Sequence, residues 1–322
     1  MATEPTNLKE AIIYFADADN CLNYLVARRW PDGVVSCPTC GKTNPRYIPE
    51  RKVWQCSIKH PKRQFSVKVG TIFEDSPLGL DKWLPAVWLI TSCKNGISSY
   101  EIMRDLGVTQ KTAWFMLQRI RLGLQSDCGM LAGEIEVDES FIGGKARNMH
   151  KAKRQEKIQG RGTTGKTVVM GMLQRGGKVK TAVIEDRDKK TLHGHVNASV
   201  HVGSNVFTDE LVSYWGLDER FVHQVINHAE QYVRGNVHTN GMENFWSLLK
   251  RGLSGTYVSV EPFHLFRYID EQAFRYNNRK LENGEVMSDA QRFSIAVTQA
   301  IGKRLTWNEL TGKETATQPE AF

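Results

Sequence analysis

Asp138, Asp209 and Glu243 stand far apart in a chain of 322 residues, with 70 and then 33 residues between them. Asp138 ends the alternating stretch EIEVD, Asp209 follows the apolar run Val206, Phe207, Thr208, and Glu243 lies in HTNGMENFWSLLKRG, a pattern that predicts a helix. If the two strands lie side by side and the helix packs across them, the acids form an oxygen-rich pocket for a hard divalent cation. Magnesium, or manganese in its place, suits such a pocket because it keeps waters and takes phosphate oxygens as its remaining ligands. Two such ions about 3.5 to 4 Å apart can activate a water or a 3′-hydroxyl and stabilise the leaving oxygen of a phosphodiester. Each acid also has a structural explanation: Asp209 can cap a helix beginning at ELVSYWG, Asp138 can open a loop, and Asn240 with Glu243 is nearly a capping box.

Lys250 follows Glu243 by seven residues, almost two helical turns, so the two share a helix face. Asn244 and Ser247 lie near that face, while Phe245, Leu248 and Leu249 can supply the buried one. Such a pair can hold a metal ion and a phosphate, or be two solvated charges. Strand alternation sends Asp209 and Glu210 to opposite faces, which leaves Asp209 as the ligand and Glu210 as a first-turn helix residue.

A second constellation is CPTC, with Cys37 and Cys40 followed by Cys56 and then His60. A CxxC turn presents two thiolates to one cation, and a second pair on a facing hairpin completes a tetrahedral zinc site, structural because no ligand position stays open. The alternative is three core cysteines beside an incidental histidine. Six cysteines, at 21, 37, 40, 56, 93 and 128, are too sparse for a disulfide scaffold, and the clustering of three favours metal in a reducing compartment.

Between Gly96 and Leu124 the pattern is that of a helix-turn-helix. Ser98 or Ser99 can cap a short helix, Gly107 makes the turn, and Thr109 caps a second helix with Ala113, Met116, Leu117 and Ile120 inward. Gln110, Lys111, Thr112, Gln118 and Arg119 are then expected outward, where they suit bases and phosphates, unless the pair is an ordinary core hairpin. A further segment, Lys145 to Lys166, carries eight positive charges (Lys145, Arg147, Lys151, Lys153, Arg154, Lys157, Arg161, Lys166) against Glu156 alone. Such a run is either a solvated connection or a grip on phosphates beside Asp138.

The elements that must position these residues can be read coarsely. Residues 1 to 30 predict helix, with Leu8, Ile12, Phe15, Leu22, Leu25 and Val26 on an apolar face; 31 to 68 predict short strands; 78 to 126 return to helix. Five strands follow, in EIEVDESFIGG, KTVVMGMLQ, KVKTAVIEDR, SNVFTDE and RFVHQVI, with helices around and after them; the tail from about 283 is polar, and GKETATQPEAF is expected to fray. An apolar content of 40% excludes wholesale disorder, and 43 Lys and Arg against 35 Asp and Glu, with a pI near 9.1, is compatible with a polyanionic partner. The most apolar run, WLPAVWLI, is far shorter than the roughly 20 residues of a membrane span, so a soluble cytoplasmic protein is expected.

Taken together, CPTC with Cys56, RQFSVKVGTIFEDSPLGLDKW, EVDESFIGG, VFTDE, INHAEQYV, HTNGMENFWSLLKRG and FRYIDEQAFRYNNR resemble bacterial insertion-sequence transposases that carry an N-terminal zinc ribbon and a DDE-type catalytic domain, the ISXO type. The resemblance spans residues 20 to 280. It implies an α/β (α+β) ribonuclease-H-like domain with a mixed five-stranded sheet, preceded by the ribbon and the helix-turn-helix. The implied domains are 1–70 (N-terminal helix and ribbon), 71–128 (helix-turn-helix), 129–282 (catalytic) and 283–322 (helical or flexible tail). Asp138, Asp209 and Glu243 become the metal-binding triad, Lys250 with Arg251 a contact to DNA near the cleaved phosphate, and His228 a recurrent family histidine. Many relatives close the ribbon with a second CxxC, where this chain has CSIKHPKRQF and so offers His60. Some relatives carry Asn as the third acid; the seven-residue spacing to Lys250 selects Glu243 over Asn244. The implied function is a nucleoid-associated transposase that binds terminal inverted repeats and target DNA, works as at least a dimer, and cleaves and transfers strands. The alternative is a regulator that keeps the DNA-binding parts without catalysis.

Overall fold

The computed structural model describes residues 3–125, 127–143, 165–226 and 238–313. The chain divides into two compact units, one made of Met1–Ser126 with Lys280–Phe322 and the other of Asp127–Arg279.

In the first unit the N-terminal helical stretch is two helices, α1 (Leu8–Phe15) and α2 (Ala18–Arg29), because the Asp17 side chain accepts from the N–H groups of Asp19 and Asn20 and starts a new helix. Ala11 and Phe15 turn inward, whereas Leu8 and Ile12, expected on the apolar face, are exposed. Strands β1 (Arg46–Ile48), β2 (Val53–Gln55) and β3 (Gln64–Ser66) form an antiparallel sheet in that order. Trp54 of β2 packs against Trp30, Tyr47 and Phe65, the small aromatic core of the ribbon.

Helices α3 (Leu80–Ser92), α4 (Ser99–Leu106) and α5 (Gln110–Leu124) follow. Ser98 and Glu101 make a reciprocal capping box at the start of α4, Gly107 takes φ 63° at its end, and Thr109 caps α5. Two residues expected to face outward do not: Gln118 is 0% and Arg119 3% exposed. Arg119 donates to the Glu74 carbonyl and lies over the rings of Trp83 and Phe115, and burial pushes its guanidinium down to about 10. The helical period counted correctly, but the C-terminal half of α5 is enclosed on nearly every side, so its polar residues became core.

Beyond residue 280 the chain returns to this unit as helices α9 (Asp289–Gln299) and α10 (Trp307–Leu310), each opened by a capping box. The polar composition of this stretch concealed Phe293, whose ring lies 5.4 Å from Phe15, 5.4 Å from Tyr24 and 5.0 Å from Trp88. Trp307 meets Phe115 at 5.4 Å and carries the Lys111 ammonium 4.6 Å from its ring centroid.

The second unit is built on a five-stranded sheet ordered β6-β5-β4-β7-β8. Its strands are β4 (Glu134–Ile142), β5 (Thr167–Gln174), β6 (Val179–Ile184), β7 (Asn205–Asp209) and β8 (Val222–Ile226). β4, β5 and β6 pair antiparallel, while β4 with β7 and β7 with β8 pair parallel. Helix α6 (Lys189–Ser199) crosses between β6 and β7 and buries Leu192 and Val196 with Ile135, Val137, Met170, Met172 and Val206. On the opposite face, α7 (Asn240–Gly252) and α8 (Leu265–Asn277) bury Met242, Phe245, Trp246, Leu265 and Ile269 against Val169 and Leu173.

Close approach of α7 to the sheet explains two glycines. A Cβ at Gly171 would stand 2.8 Å from the Trp246 ring, and one at Gly241 would stand 2.5 Å from a Leu173 methyl. Among the described residues no helix is long and apolar enough to cross a membrane.

Because Phe293 is the centre of the aromatic cluster, Phe293→Ala should lower the stability of the first unit by about 3 to 5 kcal/mol. Urea unfolding followed by tryptophan fluorescence checks this, and a midpoint unchanged from the parent would show that the segment is not integral.

Candidate active site and zinc centre

The site forms at the middle of β4 and the C-terminal end of β7. Their parallel register pairs Glu136 with Phe207, and continuing it by two residues sets Asp138 beside Asp209. Strand alternation turns Glu136, Asp138, Phe207 and Asp209 to the face covered by α7. The Trp246 indole donates to Asp138 Oδ2 at 3.0 Å, and the Glu139 N–H donates to Oδ1 at 2.8 Å. Burial, reinforced by the negative charges of Asp209 and Glu243, pushes Asp138 from 3.8 up to about 6. The other two acids singled out in the sequence therefore both act electrostatically on Asp138.

The capping explanations do not account for these acids. Asn240 is inside α7 rather than at its cap, and Thr239 at the cap position makes no side-chain bond to the helix. Asp209 Oδ1 accepts from the Leu211 N–H at 3.1 Å, a local turn. The helix expected from Glu210 is instead a 3-10 turn at Val212–Tyr214, and Glu210 is an exposed bend residue before it.

Two acids escaped the sequence reading. Glu139 belongs to the opposite strand face, where the Tyr214 hydroxyl donates to it; burial and the charges of Asp209 and Asp138 push it from 4.5 up to about 8. Glu136 is buried at 1% exposure against Arg175. Alternation of Glu136 with Asp138 was the available signal, since an acid two residues before a candidate ligand on a buried strand needs a partner.

Along α7, Glu243, Asn244, Ser247, Lys250 and Arg251 are exposed, while Met242, Phe245, Trp246 and Leu249 are buried. The helix thus puts Glu243 at its positive end and the two cations in its last turn, the arrangement its dipole favours. Of the proposed DNA contacts elsewhere, Lys111 and Lys166 are exposed, and Gln110 and Thr112 are half-buried. Gln110 donates to Ser99 at 3.0 Å, and the hydroxyls of Thr112 and Thr109 bond at 2.8 Å. Lys151, Lys153, Arg154, Arg161 and His228 lie outside the described residues.

The ribbon brings Cys37, Cys40, Cys56 and His60 together with all four ligand atoms within 4.8 Å of one another. Gly41 closes the CxxC turn with φ 71°, its N–H bonded to the Cys37 carbonyl at 2.9 Å, and the Cys56 N–H bonds to the Arg63 carbonyl at 2.9 Å. Cys37 Sγ lies 3.4 Å from His60 Nε2 and Cys40 Sγ lies 3.6 Å from Cys56 Sγ. Tetrahedral zinc with bonds near 2.3 and 2.0 Å requires edges of about 3.6 and 3.8 Å, so the donor set fits. Burial raises the Cys37 thiol, but N–H groups of Thr39 and Cys40 outweigh this and bring it down to about 7, favouring the thiolate that zinc needs. Among the described residues no other group of three or more such donors lies within that distance.

A mixed sheet covered by helices on both faces, with acids at one strand edge and a separate Cys3His ribbon, defines a ribonuclease-H-like protein with a zinc-ribbon module. The pattern described as the ISXO2-like transposase domain matches residues 130–277, and that of the transposase zinc-ribbon domain matches residues 16–58. An uncharacterized protein in transposable element ISH50 of Halobacterium salinarum is 30% identical over 255 residues, which cover 74% of this chain and 84% of that protein. The chain belongs to the ISXO2-like, zinc-ribbon transposase family. A solved structure, the cryo-EM structure of the simian T-cell lymphotropic virus intasome in complex with PP2A regulatory subunit B56 gamma, aligns with TM-score 0.31 and 11% identity over 66% of this chain and 72% of that one. A likeness at that level carries no argument.

Two predictions follow from the two centres. In zinc-loaded protein without added magnesium, the stability contributed by Asp138 and Glu139 should be lost as the pH rises from about 4 to about 8. Asp138 and Glu139 bind protons more tightly folded than unfolded, so the folded state is penalised as they ionise through about 6 and about 8. The difference in denaturant midpoint between the parent and Asp138→Asn at pH 5 and at pH 8 measures it. Cys40→Ala should abolish zinc retention and disorder the ribbon, read as loss of bound zinc by atomic absorption and a red-shifted Trp54 emission.

Proposed function

We propose that this protein is a catalytically active DNA transposase, whose acids Asp138, Asp209 and Glu243 direct metal-dependent strand cleavage and strand transfer. One observation carries the reading: Asp138, held in a buried position by Trp246, feels the negative charge of both Asp209 and Glu243. A protein has little reason to gather three uncompensated carboxylates except to hold cations.

Asp138 and Asp209 would bind from the sheet and Glu243 from the helix above. Each oxygen of Asp138 keeps a lone pair beyond its bond to Trp246 or to the Glu139 N–H, with which it could hold a metal ion. Magnesium ions bound there supply an activated water or 3′-hydroxyl and neutralise charge on the leaving oxygen. No protein nucleophile is required. Lys250 and Arg251, two turns along α7 from Glu243, would hold the phosphates of the strand being cut, and Lys166 would grip phosphates together with Lys151, Lys153, Arg154 and Arg161.

Recognition of the terminal inverted repeats is assigned to the ribbon and to the start of α5, through Gln110, Lys111 and Thr112. Gln118 and Arg119 are withdrawn from that role by their burial. Joining two transposon ends to a target implies at least two copies in the active complex.

Asp138→Asn, Asp209→Asn and Glu243→Gln should each lower magnesium-dependent nicking of labelled inverted-repeat DNA by on the order of 10⁴-fold, with folding and DNA affinity retained. A parent protein that shifts this DNA but never nicks it would instead be a regulator. Full nicking by the Asp209 variant would remove the triad assignment.

A further inference from the structure

Glu136 is almost inaccessible to water, yet it is an acid on the central strand. Arg175, just past β5, donates from Nε to Glu136 Oε1 at 2.9 Å, and the Met242 N–H donates to Oε2 at 3.0 Å. Met242 lies in the first turn of α7, so this strand carboxylate supplies the cap that Thr239 does not. Arg175 also donates from Nη2 to the His238 carbonyl at 2.7 Å and lies 4.2 Å from the centroid of the Phe207 ring. His238 Nδ1 stands 3.3 Å from Glu136 Oε1.

Each anchor is one or two residues from a triad acid. Glu136 precedes Asp138 by two, Phe207 precedes Asp209 by two, and Met242 directly precedes Glu243. No side chain fits between the cap and the helix, because a Cβ on Gly241 would lie 2.7 Å from Glu136 Oε2. Stability alone does not explain such a pair, since a buried ion pair is commonly no better than apolar residues of equal volume. Its geometry does something apolar residues cannot: one planar guanidinium and one carboxylate fix two strands and a helix start at a set separation.

We infer that Glu136 and Arg175 are positioning residues that set the spacing of Asp138, Asp209 and Glu243, and so the affinity of that pocket for divalent cations. The inference rests on the reading of the pocket as a metal site.

The test titrates Mn²⁺ into the zinc-loaded full chain, followed by the electron paramagnetic resonance of free Mn²⁺, with Asp138→Asn to identify the site. Arg175→Lys, Glu136→Gln and Gly241→Ala should weaken Mn²⁺ binding by about 10- to 100-fold while each retains a cooperative melt. The double variant Glu136→Met with Arg175→Met should melt near the parent temperature and still bind Mn²⁺ weakly, because apolar replacement restores packing but not spacing. Parent-like Mn²⁺ affinity in Arg175→Lys and in the double variant overturns the inference, as does failure of the unaltered protein to bind Mn²⁺. Cleavage is scored separately: unaltered protein that binds Mn²⁺ with this pattern but cuts no DNA keeps the positioning role and loses the transposase reading. Normal cleavage with unchanged Mn²⁺ affinity in the variants does the reverse.

Discussion

Parallel pairing of β4 with β7 is the contact on which the candidate chemistry depends. Both strands run the same way from a shared start, so the register that pairs Glu136 with Phe207 brings Asp138, in the middle of β4, level with Asp209 at the end of β7. The parallel arrangement requires a crossover, which α6 provides by carrying the chain from β6 over one face to the start of β7. The Asn205 N–H bonded to the Gly133 carbonyl at 2.8 Å fixes the register at the start. A slip of one residue would turn Asp209 to the α6 side and present Thr208 in its place.

That arrangement concentrates negative charge where water is scarce. Asp138 and Glu139 respond by holding protons more tightly, whereas Glu136, two residues earlier on the same face as Asp138, is met by Arg175 and a helix N–H. Neighbouring acids on one strand are thus handled in opposite ways. One is met by an arginine and a helix N–H; the others keep their protons to higher pH.

Much of this was legible in the sequence, for identifiable reasons. The five strands of the second unit were visible because each is a short apolar or alternating run bounded by turns, and Glu243 with Lys250 fell on one face because the helical period is strict. The Cys3His cluster followed from CxxC spacing. What could not be read was tertiary. Gln118 and Arg119 carry polar side chains at positions that the period leaves ambiguous, and Arg119 is covered by Trp83 and the Glu74 carbonyl, which arrive from elsewhere in the chain. Phe293 sits in a polar stretch, and nothing local tells that its ring completes a cluster begun by Phe15. Glu136 was passed over because its partner Arg175 is 39 residues away.

The return of residues 280 to 313 to the first unit has a consequence for how the chain is made. The second unit is continuous in sequence, from Asp127 to Arg279, and is synthesised whole before the segment after Arg279 that completes the first unit. The first unit must wait, because Phe15, Tyr24 and Trp88 lack the ring of Phe293 until synthesis has passed residue 293. During translation the nascent chain therefore completes its acid-bearing unit before the core beside its ribbon, and a prematurely terminated product would carry the former without a finished latter.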